Sequence, residues 1–303
     1  CFAFCISCLV FAFTIGQSAN AATELKHWPA PVREQLETVI EKNANQGNFA
    51  VFDMDNTSYR YDLEESLLAY MEMKGALSRE KLPPELCLIP FKDTKDFKEG
   101  LVSYYYRLCE TDDLICYPWV AQVFSGFTLK ELKGHVDGLM EYGKPLKARY
   151  YSGETVKETS INPPKPFTGM QELYAKLMEN GINVYVMTAA SEELVRMVAS
   201  DPKYGYNVKP ENVIGVTMLL KDPATGALTT SRLQIEKGQY DQKKNLDKVL
   251  TTYLMNPMTW YEGKMGTILG YIDQWKKPII VGGDTPISDG YMLLNGVDVE
   301  KGG

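Results

Sequence analysis

The stretch FAVFDMDNTSYRYD, Phe49 to Asp62, decides how the chain is read. Four apolar residues, Phe49 to Phe52, end abruptly in two aspartates one residue apart. A short, continuous apolar run bounded by polar residues predicts a buried parallel strand. Adjacent carboxylates at its end repel each other unless they share a cation or have distinct chemical tasks.

Working outward, "PVREQLETVIEKNA" (residues 31–44) carries Val32, Leu36, Val39 and Ile40 on one helical stripe. "LEESLLAYMEMKG" (63–75) predicts a helix stopped by Gly75. Residues 76–162 hold several helical patterns, few β-branched runs and many tyrosines, and the breaker "NPPKPF" closes them. Alternation then resumes. A helix ends at Gly181, "INVYVMTAA" reads as a strand, and "SEELVRMVAS" reads as a helix with Ser191 as its N-cap. "ENVIGVTML" is a further strand, "DPATGALTT" a hairpin turn, "EGKMGTILGYID" a helix and "PIIVGGD" a last buried strand. Strands alternating with helices predict an α/β fold, a mainly parallel sheet with helices on both faces. The expected organisation is a core of residues 22–60 and 163–303, with a largely helical cap at 61–162.

In such sheets, ligands bind beyond the carboxyl ends of the strands. The predicted elements bring there Asp53, Asp55 and Thr57, then Thr188, Lys264, and Asp284 with Asp289. Carboxylates suit a hard divalent cation such as Mg²⁺, which prefers oxygen ligands. A cation, a lysine and hydroxyl donors together neutralise a phosphoryl group. Only two histidines occur, His27 and His135, which moves any chemistry toward carboxylates, lysine and hydroxyls.

Asp53-x-Asp55-x-Thr57, the Thr188 hydroxyl, Lys264 and the acidic pair Asp284 and Asp289, in that order at strand ends, resemble the haloacid dehalogenase (HAD) superfamily of phosphatases. The resemblance implies a HAD-like Rossmannoid core with an inserted cap and roles for these residues. Asp53 is the nucleophile that forms an aspartyl-phosphate. Asp55 is the general acid for the leaving alkoxide and then the base for water. Thr188 and Lys264 hold phosphoryl oxygens. Asp53, the backbone carbonyl of Asp55, and Asp284 ligate Mg²⁺, with Asp289 in support, and Thr57 supports the loop.

The cap carries three consecutive tyrosines, Tyr104, Tyr105 and Tyr106. On a helix they point about 100° apart, so they cannot all enter one core. They either pack the cap or form an aromatic surface for a cation. Together with "FDMDNTSYRYDLEESLL" and "GGDTPISDG", the triplet resembles a narrower family, the bacterial phosphorylcholine phosphatases. That implies a choline subsite of Glu65, Tyr104, Tyr105 and Tyr106, and a phosphorylcholine substrate. Thr188 replaces the serine of the pattern and keeps its hydroxyl. Ile287 stands where a carboxylate is expected, which bears on support of the metal. Two other functions are compatible: a broad-specificity exported acid phosphatase of the same superfamily, and a choline-binding protein without turnover.

The first residues, "CFAFCISCLVFAFTIG" followed by "QSANAA", read as the apolar part and Ala19-Asn20-Ala21 cleavage site of a secretory signal at 1–21. The run is short for a membrane span. No initiator Met or basic leader precedes it, so the start is expected to be truncated. The resemblance implies that the sheet continues beyond "EKGG", so truncation is expected at that end too. Export predicts a periplasmic or secreted protein with no stable membrane anchor after cleavage. In an oxidising compartment Cys109 and Cys116 can pair across a short loop, or stay reduced, with Cys87 free in either case. A net charge of −7 lacks the basic face of a nucleic-acid binder.

Overall fold

The computed structural model describes residues 22–301; the expected export segment lies outside them. The helices are α1 (Ala30–Lys42), α2 (Leu63–Met73), α3 (Leu101–Thr111), α4 (Asp113–Gln122), α5 (Leu129–Tyr142), α6 (Thr168–Glu179), α7 (Glu192–Ala199), α8 (Ser231–Glu236), α9 (Gln242–Asn245), α10 (Glu262–Thr267) and α11 (Pro286–Asn295). The strands are β1 (Phe49–Phe52), β2 (Tyr59–Arg60), β3 (Leu146–Ser152), β4 (Thr155–Ile161), β5 (Lys165–Pro166), β6 (Asn183–Ser191), β7 (Val213–Lys221), β8 (Leu228–Thr229), β9 (Val249–Met255) and β10 (Ile280–Gly282).

The central sheet runs β10-β1-β6-β7, with every one of these pairings parallel. β8 and β9 add antiparallel pairings on β7. All four residues of β1 are buried, because both faces of the strand are covered. Strand alternation sends Phe49 and Val51 into a small core with Met187, Ile268 and Met292 of α11. It sends Ala50 and Phe52 into the larger core, where Phe52 packs on Tyr174 of α6 at 5.0 Å between ring centroids.

β2 and β5 pair antiparallel in a small sheet of their own, so the segment between them leaves and returns at one place. That segment contains α2 to α5 and also a hairpin, β3–β4, which the sequence reading did not include. The hairpin escaped because its burial is irregular and much of it is exposed, leaving no clean alternation of apolar and polar residues. β9 was missed for the same reason. Cys109 and Cys116 form a disulfide, and Cys87 is free and exposed.

α7 is buried along its whole length. Ser191 stands at its N-cap position, but its hydroxyl makes no cap bond and is buried without a partner, contrary to expectation. The backbone N–H of Ser191 is instead taken by Glu64 of α2 at 2.9 Å, a tie between distant parts of the chain. α7 tolerates its buried charges because they are paired. Glu192 meets Arg196 and Arg232, and Glu193 meets Arg196 at 2.8 Å. Among the described residues no helix is long and apolar enough to cross a membrane.

Candidate active site

The nucleophile candidate, Asp53, is the first residue after β1. Its N–H donates to Gly282 at the end of β10 at 2.9 Å, which fixes the two strand ends side by side. The backbone then turns tightly. Asn56 takes a positive φ of 55°, a conformation asparagine tolerates, and Ser58 N–H donates back to Met54 at 2.8 Å. Ser58 Oγ donates to the Asp53 carbonyl at 2.7 Å. The Thr57 hydroxyl, expected to support this loop, makes no hydrogen bond among the described residues.

Lys264 of α10 is fully buried. Its Nζ donates to Asp289 Oδ1 at 2.6 Å and lies 3.0 Å from Asp53 Oδ1. Asp289 Oδ2 accepts from the N–H groups of Asp284 and Thr285 at 3.1 and 3.0 Å. Asp289 therefore has both oxygens occupied and orients Lys264 and the loop that carries Asp284. Gly283 is required there, since a Cβ on it would meet Asp289 Cγ at 2.5 Å.

Burial drives the electrostatics. It pushes the Asp53 carboxyl up to about 6, although Lys264 opposes the shift. It raises Asp55 well above the usual carboxylate range, and the charges of Asp62 and Asp53 raise it further. Burial alone would lower Lys264, but Asp53 and Asp289 outweigh it and hold its pKa up, so it stays charged. Asp55 Oδ1 accepts the N–H of Leu63 at 2.8 Å, which ties this carboxyl to the start of α2.

Oxygens of Asp53, Asp284 and Asp289 lie within 4.8 Å of one another. Asp53 Oδ1 is buried with the Lys264 ammonium 3.0 Å away and has no other partner among the described residues. A buried carboxylate next to the exposed Asp284 fits a hard divalent ion. Ile287, at the position where a carboxylate was expected, is 67% exposed, and the acidic cluster forms without it.

A cleft of about 200 Å³ opens over these groups, and its lining includes Asp53, Asp55, Thr188, Asp62, Tyr105 and Tyr117. Thr188 is buried, and its Oγ1 accepts from Ala190 N–H at 3.1 Å, leaving the hydroxyl hydrogen to donate. The tyrosine triplet divides three ways. Tyr104 does not reach the cleft: it is buried, packs on Phe91 and Trp119, and its hydroxyl bonds the backbone of Ile89. Tyr105 lines the cleft. Tyr106 donates its hydroxyl to Glu65, so Glu65 is paired rather than a free surface charge.

The sequence reading missed Asp62, Glu64 and Tyr117, all of which line the cleft. Asp62 had a legible signal, since it precedes an apolar helix with glutamates in its first turn, and it caps α2 by accepting Glu65 N–H at 2.7 Å. Burial and the Glu65 charge push its carboxyl up to about 6. A carboxyl whose folded pKa exceeds its unfolded value stabilises at low pH and loses that contribution as pH rises through the folded pKa. Asparagine caps as well as aspartate but does not ionise. Asp62→Asn is therefore expected to gain stability over the parent between pH 4 and 7, by up to about 3 kcal/mol. Urea denaturation of both proteins at the two pH values, without divalent ions, reads the difference directly.

A phosphorylcholine phosphatase of Pseudomonas aeruginosa is 65% identical to this chain over 291 residues, 96% of this chain and 83% of that protein. With that likeness, the chain is a phosphoric monoester hydrolase. A solved structure of a conserved protein of unknown function from Anaerococcus prevotii has the same fold, with a TM-score of 0.60 and 23% identity over 91% of this chain and 86% of that one. The chain belongs to the phosphorylcholine phosphatase family. No protein-family model matches it.

Proposed function

We propose that the chain is an exported, Mg²⁺-dependent HAD phosphatase that hydrolyses phosphorylcholine to choline and phosphate. The observation that carries this reading is the cleft, whose lining combines Asp53, Asp55 and Thr188, with Lys264 3.0 Å from Asp53, and the carboxylates and rings of Asp62, Glu64, Tyr105 and Tyr117. The two sets suit the phosphoryl and trimethylammonium groups of one zwitterion. The activity named for the Pseudomonas aeruginosa relative agrees. The Cys109–Cys116 disulfide favours an oxidising compartment, periplasmic or extracellular.

Thr188 and Lys264 bind the phosphoryl oxygens. The Asp53 carboxylate attacks phosphorus, and the bond from phosphorus to the choline oxygen breaks. Asp55 is suited to give its proton to that oxygen, because burial and the charges of Asp62 and Asp53 raise its carboxyl well above the usual carboxylate range and favour the protonated form. The resulting aspartyl-phosphate on Asp53 is then opened by water. Asp55 takes the water's proton, phosphate leaves, and the Asp53 carboxylate is restored. Asp53, Asp284 and the Asp55 carbonyl would hold Mg²⁺, which when bound neutralises phosphoryl charge. Asp289 acts through Lys264 and the Asp284 loop.

Of the expected ammonium subsite, Tyr105 lines the cleft together with Tyr117, Asp62 and Glu64, the Tyr106–Glu65 pair backs Tyr105 at 5.9 Å between the tyrosine rings, and Tyr104 packs on Trp119 away from the cleft. A tyrosine ring contributes about 0.5–2 kcal/mol to a cation. Tyr105→Ala is thus expected to raise KM for phosphorylcholine about tenfold, and Glu65→Gln to raise it severalfold. Neither is expected to change KM for p-nitrophenyl phosphate, which carries no ammonium group. Equal losses on both substrates would replace this reading with that of a broad-specificity phosphatase.

A further inference from the structure

We propose that the Cys109–Cys116 disulfide is a specificity-positioning element, which holds Tyr105 and Tyr117 in place in the lining of the substrate cleft. This rests on the reading of that cleft as an ammonium-ester site.

Tyr105 comes from α3 and Tyr117 from α4, and both line the cleft. Only Asp112 separates the two helices, so the chain must change direction at a single residue. The disulfide crosses that corner next to both rings. Cys109 is one helical turn beyond Tyr105, and Cys116 immediately precedes Tyr117.

α4 needs the constraint. Pro118 lies inside it and has no N–H to donate to the carbonyl one turn back. A proline also disfavours helical backbone at the residue before it, which is Tyr117. The residue that lines the cleft is therefore the one whose local conformation the sequence supports least. Tertiary contacts hold it from both sides. Cys116 is fully buried in the bridge, Trp119 of α4 stacks parallel to Tyr105 at 6.2 Å, and Tyr117 packs edge-on against Trp260 at 5.9 Å. Trp260 stands just before α10, which carries Lys264, so the Tyr117 ring, next in the chain to the bridged Cys116, packs against the segment leading into that helix. The cysteines themselves touch neither end of the cleft's chemistry, and their effect is on where the rings stand.

The test compares the parent enzyme with a Cys109→Ala/Cys116→Ala double variant, with Mg²⁺, on phosphorylcholine and p-nitrophenyl phosphate. The expected result is a KM for phosphorylcholine raised about tenfold, with kcat on p-nitrophenyl phosphate within about twofold of the parent. Equal losses on both substrates, or no change on either, overturn the proposal. Should the double variant fail to fold, folded parent enzyme is reduced with a phosphine and then reoxidised. The same selective rise in KM must appear on reduction and vanish on reoxidation, and a reduced enzyme with unchanged selectivity overturns the proposal. Tyr105→Ala separates the two levels of inference. If it is selective while loss of the bridge is not, only the role of the disulfide falls. If Tyr105→Ala is not selective either, the ammonium site falls with it.

Discussion

Asp53→Asn is expected to abolish phosphate release, lowering kcat by about five orders of magnitude, as loss of a nucleophile does elsewhere. The amide has nearly the shape of the carboxylate but cannot form the acyl-phosphate. The fold should survive. Burial already disfavours the Asp53 charge, pushing its carboxyl up to about 6, so replacing it with a neutral amide removes a strained ion rather than a support. Lys264 keeps its hydrogen bond to Asp289 at 2.6 Å, so it is not left unpaired. The expected pair of readings is therefore no burst and no turnover in a phosphate-release assay, with an unchanged or higher melting temperature. Turnover within a hundredfold of the parent would remove Asp53 from its assigned role.

Lys264→Met is expected to damage activity and stability together. Lys264 is the buried cation between Asp53 Oδ1 at 3.0 Å and Asp289 Oδ1 at 2.6 Å. Without it two buried carboxylates face each other, and breaking a buried pair by removing one partner costs about 3–5 kcal/mol. Loss of a cation aimed at the phosphoryl group lowers kcat/KM by about a thousandfold. The two effects separate in a double-mutant cycle. Adding Asp289→Asn to Lys264→Met removes the orphaned charge, so the double variant should be more stable than the sum of the single losses predicts. It should not regain activity, because the phosphoryl group still lacks its cation. Strict additivity in urea denaturation would show that the two side chains do not act as a unit.

The two variants separate the tasks of neighbouring charges. On these expectations Asp53 is dispensable for folding and needed for chemistry, whereas Lys264 serves both. The difference follows from pairing: Asp53 has one cation, Lys264, beside several carboxylates, while Lys264 holds two carboxylates and through Asp289 the N–H groups of Asp284 and Thr285.

Much of the fold was written locally. "FAVF" became the doubly covered strand β1, and the helix over Leu63 to Met73 began after a capping aspartate. The parallel strands around β1 were legible because burial on both faces leaves uninterrupted apolar runs. The half-exposed elements were not. The hairpin β3–β4 and strand β9 carry mixed residues whose pattern is set by what covers them. The Ser191 cap failed for a related reason: its place in the chain suited a cap, but burial left its hydroxyl without a partner.

The sequence by itself determined the strand, the Asp53-x-Asp55 pair at its end and the order of the later polar residues, because each is a property of neighbours in the chain. It also determined that three consecutive tyrosines on a helix must point in different directions. Only the tertiary structure decided that Tyr104 packs against Phe91 and Trp119 while Tyr105 lines the cleft, since helical periodicity sets the angles between side chains and not which face is covered. It alone brought Lys264 and Asp289 to Asp53, and Tyr117 into the same cleft as Tyr105. Those contacts join residues far apart in the chain or across a bridged corner, and no local spacing encodes a distance that depends on how the sheet and helices pack.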